Sequence, residues 1–163
     1  MLKIRNVELS DLPAVVAIEN LCFLKEEAAT GEAFEKRIQQ IPDSFFVAEE
    51  DGRIVGFVNG PVISQPFITD DLFTEIRQNS ATGGHQCILR IAVEPTSKNR
   101  GIAAALLAHL ENSARAKQRE TITLTCKKQL ISFYEKQGYT NEGASESEHG
   151  GVTWYNMVKR LII

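Results

Sequence analysis

Val93-Glu94-Pro95-Thr96-Ser97-Lys98-Asn99-Arg100-Gly101-Ile102-Ala103-Ala104 is the stretch whose residue types and spacing bear most directly on chemistry. An apolar strand ends, a short polar turn follows, and a helix opens on a glycine and small residues. The first turn of any helix carries N–H groups without intrahelical partners and a partial positive charge. Small residues at Gly101 and Ala103 would let a diphosphate come close to those donors, and Lys98 and Arg100 would add positive charge at the rim. The alternative is a plain helix start whose glycine serves a close packing contact. The stretch is not a nucleoside-triphosphatase loop, because no Gly-Lys-Ser/Thr follows, and no GxGxxG follows an N-terminal strand. Three other residues have chemistry of their own. Glu19 falls on or beside an apolar helical stripe, His85 lies on a glycine-rich approach to a strand, and Arg90 puts a charge inside that strand, which suggests a structural ion pair.

The elements that must position these groups follow from periodicity. Lys3–Val7 reads as a strand, followed by a helix cap at Ser10-Asp11 with Pro13 in the first turn and apolar or stripe positions at Leu12, Val15, Val16, Glu19, Cys22 and Phe23. A second helix starts at Thr30 or Gly31, runs through Phe34 and Ile38, and stops at Pro42. The period then changes to two. Phe45–Glu49 and Arg53–Val58 form a hairpin around Glu50-Asp51-Gly52. Residues 64–84 are irregular, with a short helix near Asp70–Gln78, and suit either a lid over a site or an inert surface loop. Cys87–Val93 reads as a central strand whose alternation sets Arg90 opposite Cys87, Leu89 and Ile91. A helix through Ile102, Leu106, Leu107, Leu110 and Ala114 follows, then the strand Thr121–Cys126. A short helix from Leu130 to Gln137 ends at Gly138. Tyr139 opens a last hairpin, with its turn near His149-Gly150-Gly151 and its second strand over Val152–Val158. The order β-α-α-β-β-β-α-β-α-β-β is a mixed α/β layer and not a doubly wound sheet.

Composition narrows the class. The 163 residues, 43% apolar and 24% charged, suit one domain over residues 1–163 and exclude a disordered or collagen-like chain. A formal charge of −3 speaks against general nucleic-acid binding, and no apolar run is long enough to span a bilayer, so neither nucleic acid nor membrane is expected as a partner. Cys22, Cys87 and Cys126 are odd in number and far apart, which reads as reduced thiols in a cytoplasmic protein, with no disulfide or metal framework.

The two halves of the sequence now converge on a family. Ile91-Ala92-Val93-Glu94-Pro95 followed by Lys98-Asn99-Arg100-Gly101-Ile102-Ala103 resembles the acetyl-CoA signature of the Gcn5-related N-acetyltransferases, with Lys98 where Arg or Gln is usual. Phe133-Tyr134 followed four residues on by Gly138-Tyr139 resembles the second signature, at the family's separation. Within the family, Cys22-Phe23 before a Glu-rich loop and the Cys126 to Tyr134 run are most similar to the arylalkylamine N-acetyltransferase branch. The vertebrate members of that branch carry two histidines on the central strand where this chain has Cys87 and Leu89, so a relay through them is absent here.

The resemblance implies a mostly antiparallel, twisted sheet of six to seven strands flanked by about four helices, with a V-shaped split between the central strands. It implies that acetyl-CoA, as acetyl donor, pairs with the backbone of Ile91, Ala92 and Val93, and that Lys98, Asn99, Arg100, Gly101, Ile102, Ala103 and Ala104 take its pyrophosphate. An N–H near Ala92 would steady charge on the thioester oxygen. Tyr134 would lie beside the thioester sulfur and protonate the departing thiolate, a reasonable task for a phenol with a reference pKa of about 10. Glu27 matches the glutamate that insect-type members place after the first helix, which makes it the first candidate base, with Glu19 second and His85 third. Because the family transfers acetyl directly to an amine, Cys87 reads as a buried strand thiol and not a nucleophile. Lys127 and Lys128 either meet the cofactor's outer phosphate or are plain exposed lysines. The implied reaction is direct acetyl transfer from acetyl-CoA to the primary amine of a small, arylalkylamine-like substrate, by a monomer or homodimer and without a metal. A protein or peptide acceptor, or a CoA-binding module without catalysis, are the competing readings.

Overall fold

A computed structural model describes residues 1–73, 75–146 and 151–161 of the chain. Strand β1 (Leu2–Asn6) leads through a 3-10 turn into α1 (Leu12–Cys22), with Pro13 in the first turn, and α2 (Gly31–Gln40) follows. The Thr30 hydroxyl caps α2 by accepting from Ala33 N at 3.1 Å. β2 (Phe45–Glu50) and β3 (Arg53–Asn59) form the expected hairpin, and Asp51 and Gly52 both have positive φ, as a two-residue turn matched to strand twist requires. After the two-residue β4 (Val62–Ile63), a 3-10 turn at Asp70–Phe73 stands where a helix to Gln78 was expected.

The central strand is two strands. β5 (His85–Ile88) and β6 (Arg90–Val93) part at Leu89 and join different sheets, β5 in the order β4-β5-β7-β9-β8 and β6 in the order β1-β2-β3-β6. α3 (Ile102–Ala116) and β7 (Thr121–Lys127) come next. α4 (Ile131–Lys136), β8 (Thr140–Ala144) and β9 (Trp154–Arg160) complete the chain. The division of the central strand and the small β4 turn the expected seven strands into nine among the described residues. The expected turn at His149-Gly150 lies outside the described residues.

The four-stranded sheet is covered on both faces. Phe46, Ala48, Val58 and Val93 pack with Leu106, Leu107 and Leu110 of α3, while Phe45, Val47, Phe57 and Ala92 pack with Val15, Ile18, Phe34 and Ile38 of α1 and α2. That alternation is the period-two signal read from the sequence. Emptying one of these sites, as in Leu106→Ala, costs roughly 2–5 kcal/mol.

Strict alternation fails at the parting point. Leu89 packs with Cys87 and Ile68 against Leu72, Phe73 and Ile76, a cluster beside α2, whereas Ile88 and Ile91 pack on the α3 side. Arg90 also turns to the α1 side, so it shares a face with Cys87 and Leu89 and opposes only Ile91. One residue of irregularity at Leu89 shifts the pattern by one, as a bulge does.

Candidate active site

The split between the sheets follows from register. β5 pairs in parallel with β7 from His85–Thr121 to Ile88–Leu124 and no further, while β7 pairs with β9 along its whole length. Among the described residues Thr125–Lys127 therefore leave one edge unpaired, and β6, diverted towards β3, faces that edge across a widening gap. Just after β3, Gly60 N donates to Ser44 O at 3.3 Å, and on β3 Val55 O accepts from Glu94 N at 2.9 Å. Alternation from those two bonds turns the backbone of Arg90 and Ala92 towards β3 and that of Ile91 and Val93 towards the gap. The donors expected near Ala92 are thus those of its two neighbours. Cys22 at the end of α1 confirms the direction, since its thiol donates to Val93 O at 3.2 Å.

At the end of β6 the chain makes the expected turn into α3. Asn99 and Gly101 have φ of 66° and 80°, so positive-φ residues alternate with Lys98, Arg100 and Ile102, a concave form that collects N–H groups. Gly101 is the N-cap, with no side chain capping the helix, and the first intrahelical bond is Ala105 N to Gly101 O at 3.0 Å. The N–H groups of Ile102, Ala103 and Ala104 are left for a ligand, and a Cβ on Gly101 would meet nothing within 4 Å. Those residues fit a pyrophosphate. Arg100 is committed to Glu50 through contacts of 2.8 and 2.5 Å, so it braces the turn against β2, while Lys98 stays exposed.

Sequence reading missed the brace on the other side of this turn. Glu94 accepts from Arg53 at 2.6 Å, from Ser97 Oγ at 2.9 Å and from Thr96 Oγ1 at 3.0 Å. The Arg53 guanidinium, with help from the two hydroxyls, holds the Glu94 carboxyl below its ordinary range. Glu94 had a signal, a carboxylate before Pro-Thr-Ser, but its partner is 41 residues away.

Tyr134 is 4% exposed and belongs to the cluster that contains Val93, Ile102 and Cys126. The two signatures and the free end of β7 therefore meet on the α3–α4 side of the gap. Its ring packs edge-on against Phe133 and Tyr139, at centroid distances of 5.1 and 5.7 Å. Gly138, at φ 94°, makes the turn that returns Tyr139 to it. Burial, with the Cys126 thiol adding to it, pushes the Tyr134 phenol above its ordinary value, so it stays protonated at neutral pH. Burial alone pushes Cys126 up to about 11 and raises Cys87 as well, which leaves both as packing thiols.

The α1–α2 side is charged. Glu19 is fully buried, pairs with Arg90 at 2.9 Å and accepts from Ala29 N at 2.7 Å. Burial raises its pKa, while Arg90 and the Ala29 N–H pull the other way. Arg37, 2% exposed, donates to Asn59 Oδ1 at 3.2 Å, and burial draws its guanidinium down to about 10. Arg90 lies 4.0 Å over the Phe23 ring and also donates to Glu27 O at 2.8 Å. The Glu27 carboxylate reaches across the gap to Lys127 Nζ at 3.4 Å. The loop between α1 and α2 is thus tied to both lips of the split. His85 is elsewhere, held by Thr121 Oγ1 at 2.8 Å at the far end of β5.

Comparison with known proteins agrees with this geometry. Residues 13–161 match the family described as "Acetyltransferase (GNAT) domain", so the chain belongs to the GNAT acetyltransferases. It is 29% identical over 143 residues to Acetyltransferase ECA0875 of Pectobacterium atrosepticum, covering 85% of this chain and 87% of that one. The loading GNATL domain of CurA from Lyngbya majuscula superposes with a TM-score of 0.82 at 16% identity, covering 99% and 98% of the two chains. The GphF GNAT-like decarboxylase, in complex with isobutyryl-CoA, gives 0.77 at 18% identity, covering 98% and 100%. The protein is an N-acetyltransferase of this family, on a fold that binds acyl-CoA. Among the described residues no cluster of three His, Cys, Asp or Glu could hold a metal, and no helix is long and apolar enough to cross a membrane.

Proposed function

We propose that the protein transfers acetyl from acetyl-CoA to the primary amine of a small substrate, with an arylalkylamine as the nearest class. The observation that carries the small-substrate reading is the fastening of the α1–α2 loop across the split, through Arg90 to Glu27 O and Lys127 to Glu27 Oε2. Held to β6 by Arg90 whatever occupies the Glu27 carboxylate, the loop keeps the opening bounded, suited to a compact amine more than to an extended peptide.

Ile91 by its backbone groups and Val93 by its N–H would hold the pantetheine, as a sheet edge takes an added strand, while Val93 O is already engaged by the Cys22 thiol. The turn from Lys98 to Ala104 would hold the pyrophosphate by its main-chain donors. Bound there, acetyl-CoA supplies an acetyl group activated as a thioester. On the α1–α2 side, Glu27 Oε2 takes a proton from the incoming ammonium, directly or through water, and so frees the nitrogen lone pair. On the α3–α4 side, as the new C–N bond forms and the C–S bond breaks, Tyr134 Oη gives its proton to the departing sulfur and is reprotonated, directly or through water, by the second proton the nitrogen releases. Glu19 is assigned to positioning: with one oxygen on Arg90 and the Ala29 N–H, it fixes the loop that presents Glu27.

The test is a rate comparison over phenethylamine, tryptamine, spermidine and short peptides with free N-termini. The small amines should be acetylated faster than any peptide. A peptide turned over faster than all of them transfers the assignment to protein acceptors, and tight CoA binding with no transfer to any acceptor leaves only a binding module.

A further inference from the structure

Lys127 presents to Glu27 the same chemical group that an acceptor would. Its Nζ is a primary alkylammonium on a flexible stem, 3.4 Å from Glu27 Oε2 and 5.6 Å from the centroid of the Trp154 ring. Three elements contribute: the α1–α2 loop, the end of β7 that β9 alone pairs, and the start of β9. The carboxylate and the ring select for the same property. A carboxylate attracts a cation over a neutral group, and the negative face of an indole does the same.

Resting on the N-acetyltransferase reading above, we propose that Glu27 and Trp154 form the subsite for the acceptor's ammonium group, and that Lys127 Nζ is its resident occupant, displaced when an amine binds. The side chains of Lys127 and Glu27 are 35% and 31% exposed, so the pair is open to exchange with a ligand. Partly exposed pairs of this kind contribute little to stability, which makes the resident displaceable. The subsite takes protonated primary amines and discriminates against isosteric alcohols. Once the amine has replaced Lys127, its ammonium lies against the carboxylate that must take its proton. Lys127 then sets apparent affinity, as a built-in competitor.

The experiment uses the full chain with CoA bound and follows phenethylamine by calorimetry, with 2-phenylethanol as the uncharged control. Lys127→Met removes the competing charge and keeps the stem, and Lys127→Gln serves as a second variant should the first fold poorly. The expected result is that phenethylamine binds about threefold to fivefold more tightly to Lys127→Met, and its KM falls more than its kcat changes. Lys127→Arg, which keeps the charge, stays near wild type, and Trp154→Leu weakens phenethylamine severalfold with or without Lys127. Binding that is unchanged or weaker in both neutral variants overturns the proposal, as does an equal gain for 2-phenylethanol or no detectable phenethylamine binding to any form. A wild type that acetylates phenethylamine while the Lys127 variants behave like it defeats this inference alone. A wild type that acetylates no amine defeats the functional reading instead.

Discussion

The two sides of the split are built from different materials. The α3–α4 side offers main-chain donors at Ile102–Ala104, a glycine with open space before it and a buried phenol, with Arg100 turned away to Glu50. The α1–α2 side is a chain of side-chain charges, Arg37 near Glu19, Glu19 on Arg90, and Glu27 on Lys127. In the proposed function one side would bind through backbone shape and the other through side-chain charges. The first suits a donor common to a whole family, and the second suits an acceptor that differs between members.

That contrast can be broken most severely at Glu19. Glu19→Ala leaves Arg90 and Arg37 without their buried counter-charge, and the expected loss of unfolding free energy is about 3 kcal/mol, read by denaturant titration. A loss below about 1 kcal/mol would return Glu19 to the list of candidate bases. Tyr134→Phe should leave the fold intact and lower kcat by about 100-fold, since general acid catalysis contributes at that order. Because the Tyr134 pKa lies above its ordinary value, the wild-type rate should show no fall from its deprotonation below about pH 10. Gly101→Ala tests the shape side. With φ at 80° a Cβ is strained, and it projects into the open space offered to the pyrophosphate, so KM for acetyl-CoA should rise about 10-fold while KM for the amine stays put.

The smallest effect concerns the brace at Glu94. Its carboxyl is held low by Arg53, so its contribution to stability is present above the ordinary value of 4.5 and is lost as pH falls through the lowered one. Arg53→Met moves the folded value back towards the ordinary one, so the variant should be less stable near neutral pH and should lose less of its stability as pH falls below 4.5. An acid limb unmoved by that substitution would mean that the turn is held by its backbone alone.

The shape side is the more legible in the sequence, for a physical reason. Gly101 at a strand-to-helix turn, the Leu106-Leu107-Leu110 stripe and the Phe133-Tyr134 to Gly138-Tyr139 spacing are local patterns, and local patterns survive in one dimension. The hairpin at Asp51-Gly52 and the cap at Thr30 were legible in the same way. On the charged side, Glu19 was noticed only because a carboxylate on an apolar stripe is anomalous, and Arg90 because a charge in a central strand needs a partner. Their pairing across 71 residues had no local trace, and neither did that of Glu27 with Lys127 across 100. The parting of the central strand at Leu89 was invisible for another reason. Cys87 to Val93 is uniformly suited to a strand, and what divides it is competition between β3 and β7 for its edges.

Amide hydrogen exchange with and without CoA reads the proposed main-chain donors one by one. The account predicts new protection at the N–H groups of Ile91, Val93, Ile102, Ala103 and Ala104, with Ala92 unchanged because its N–H is already held by β3. Protection that appears elsewhere, or none at these positions under saturating CoA, would contradict it.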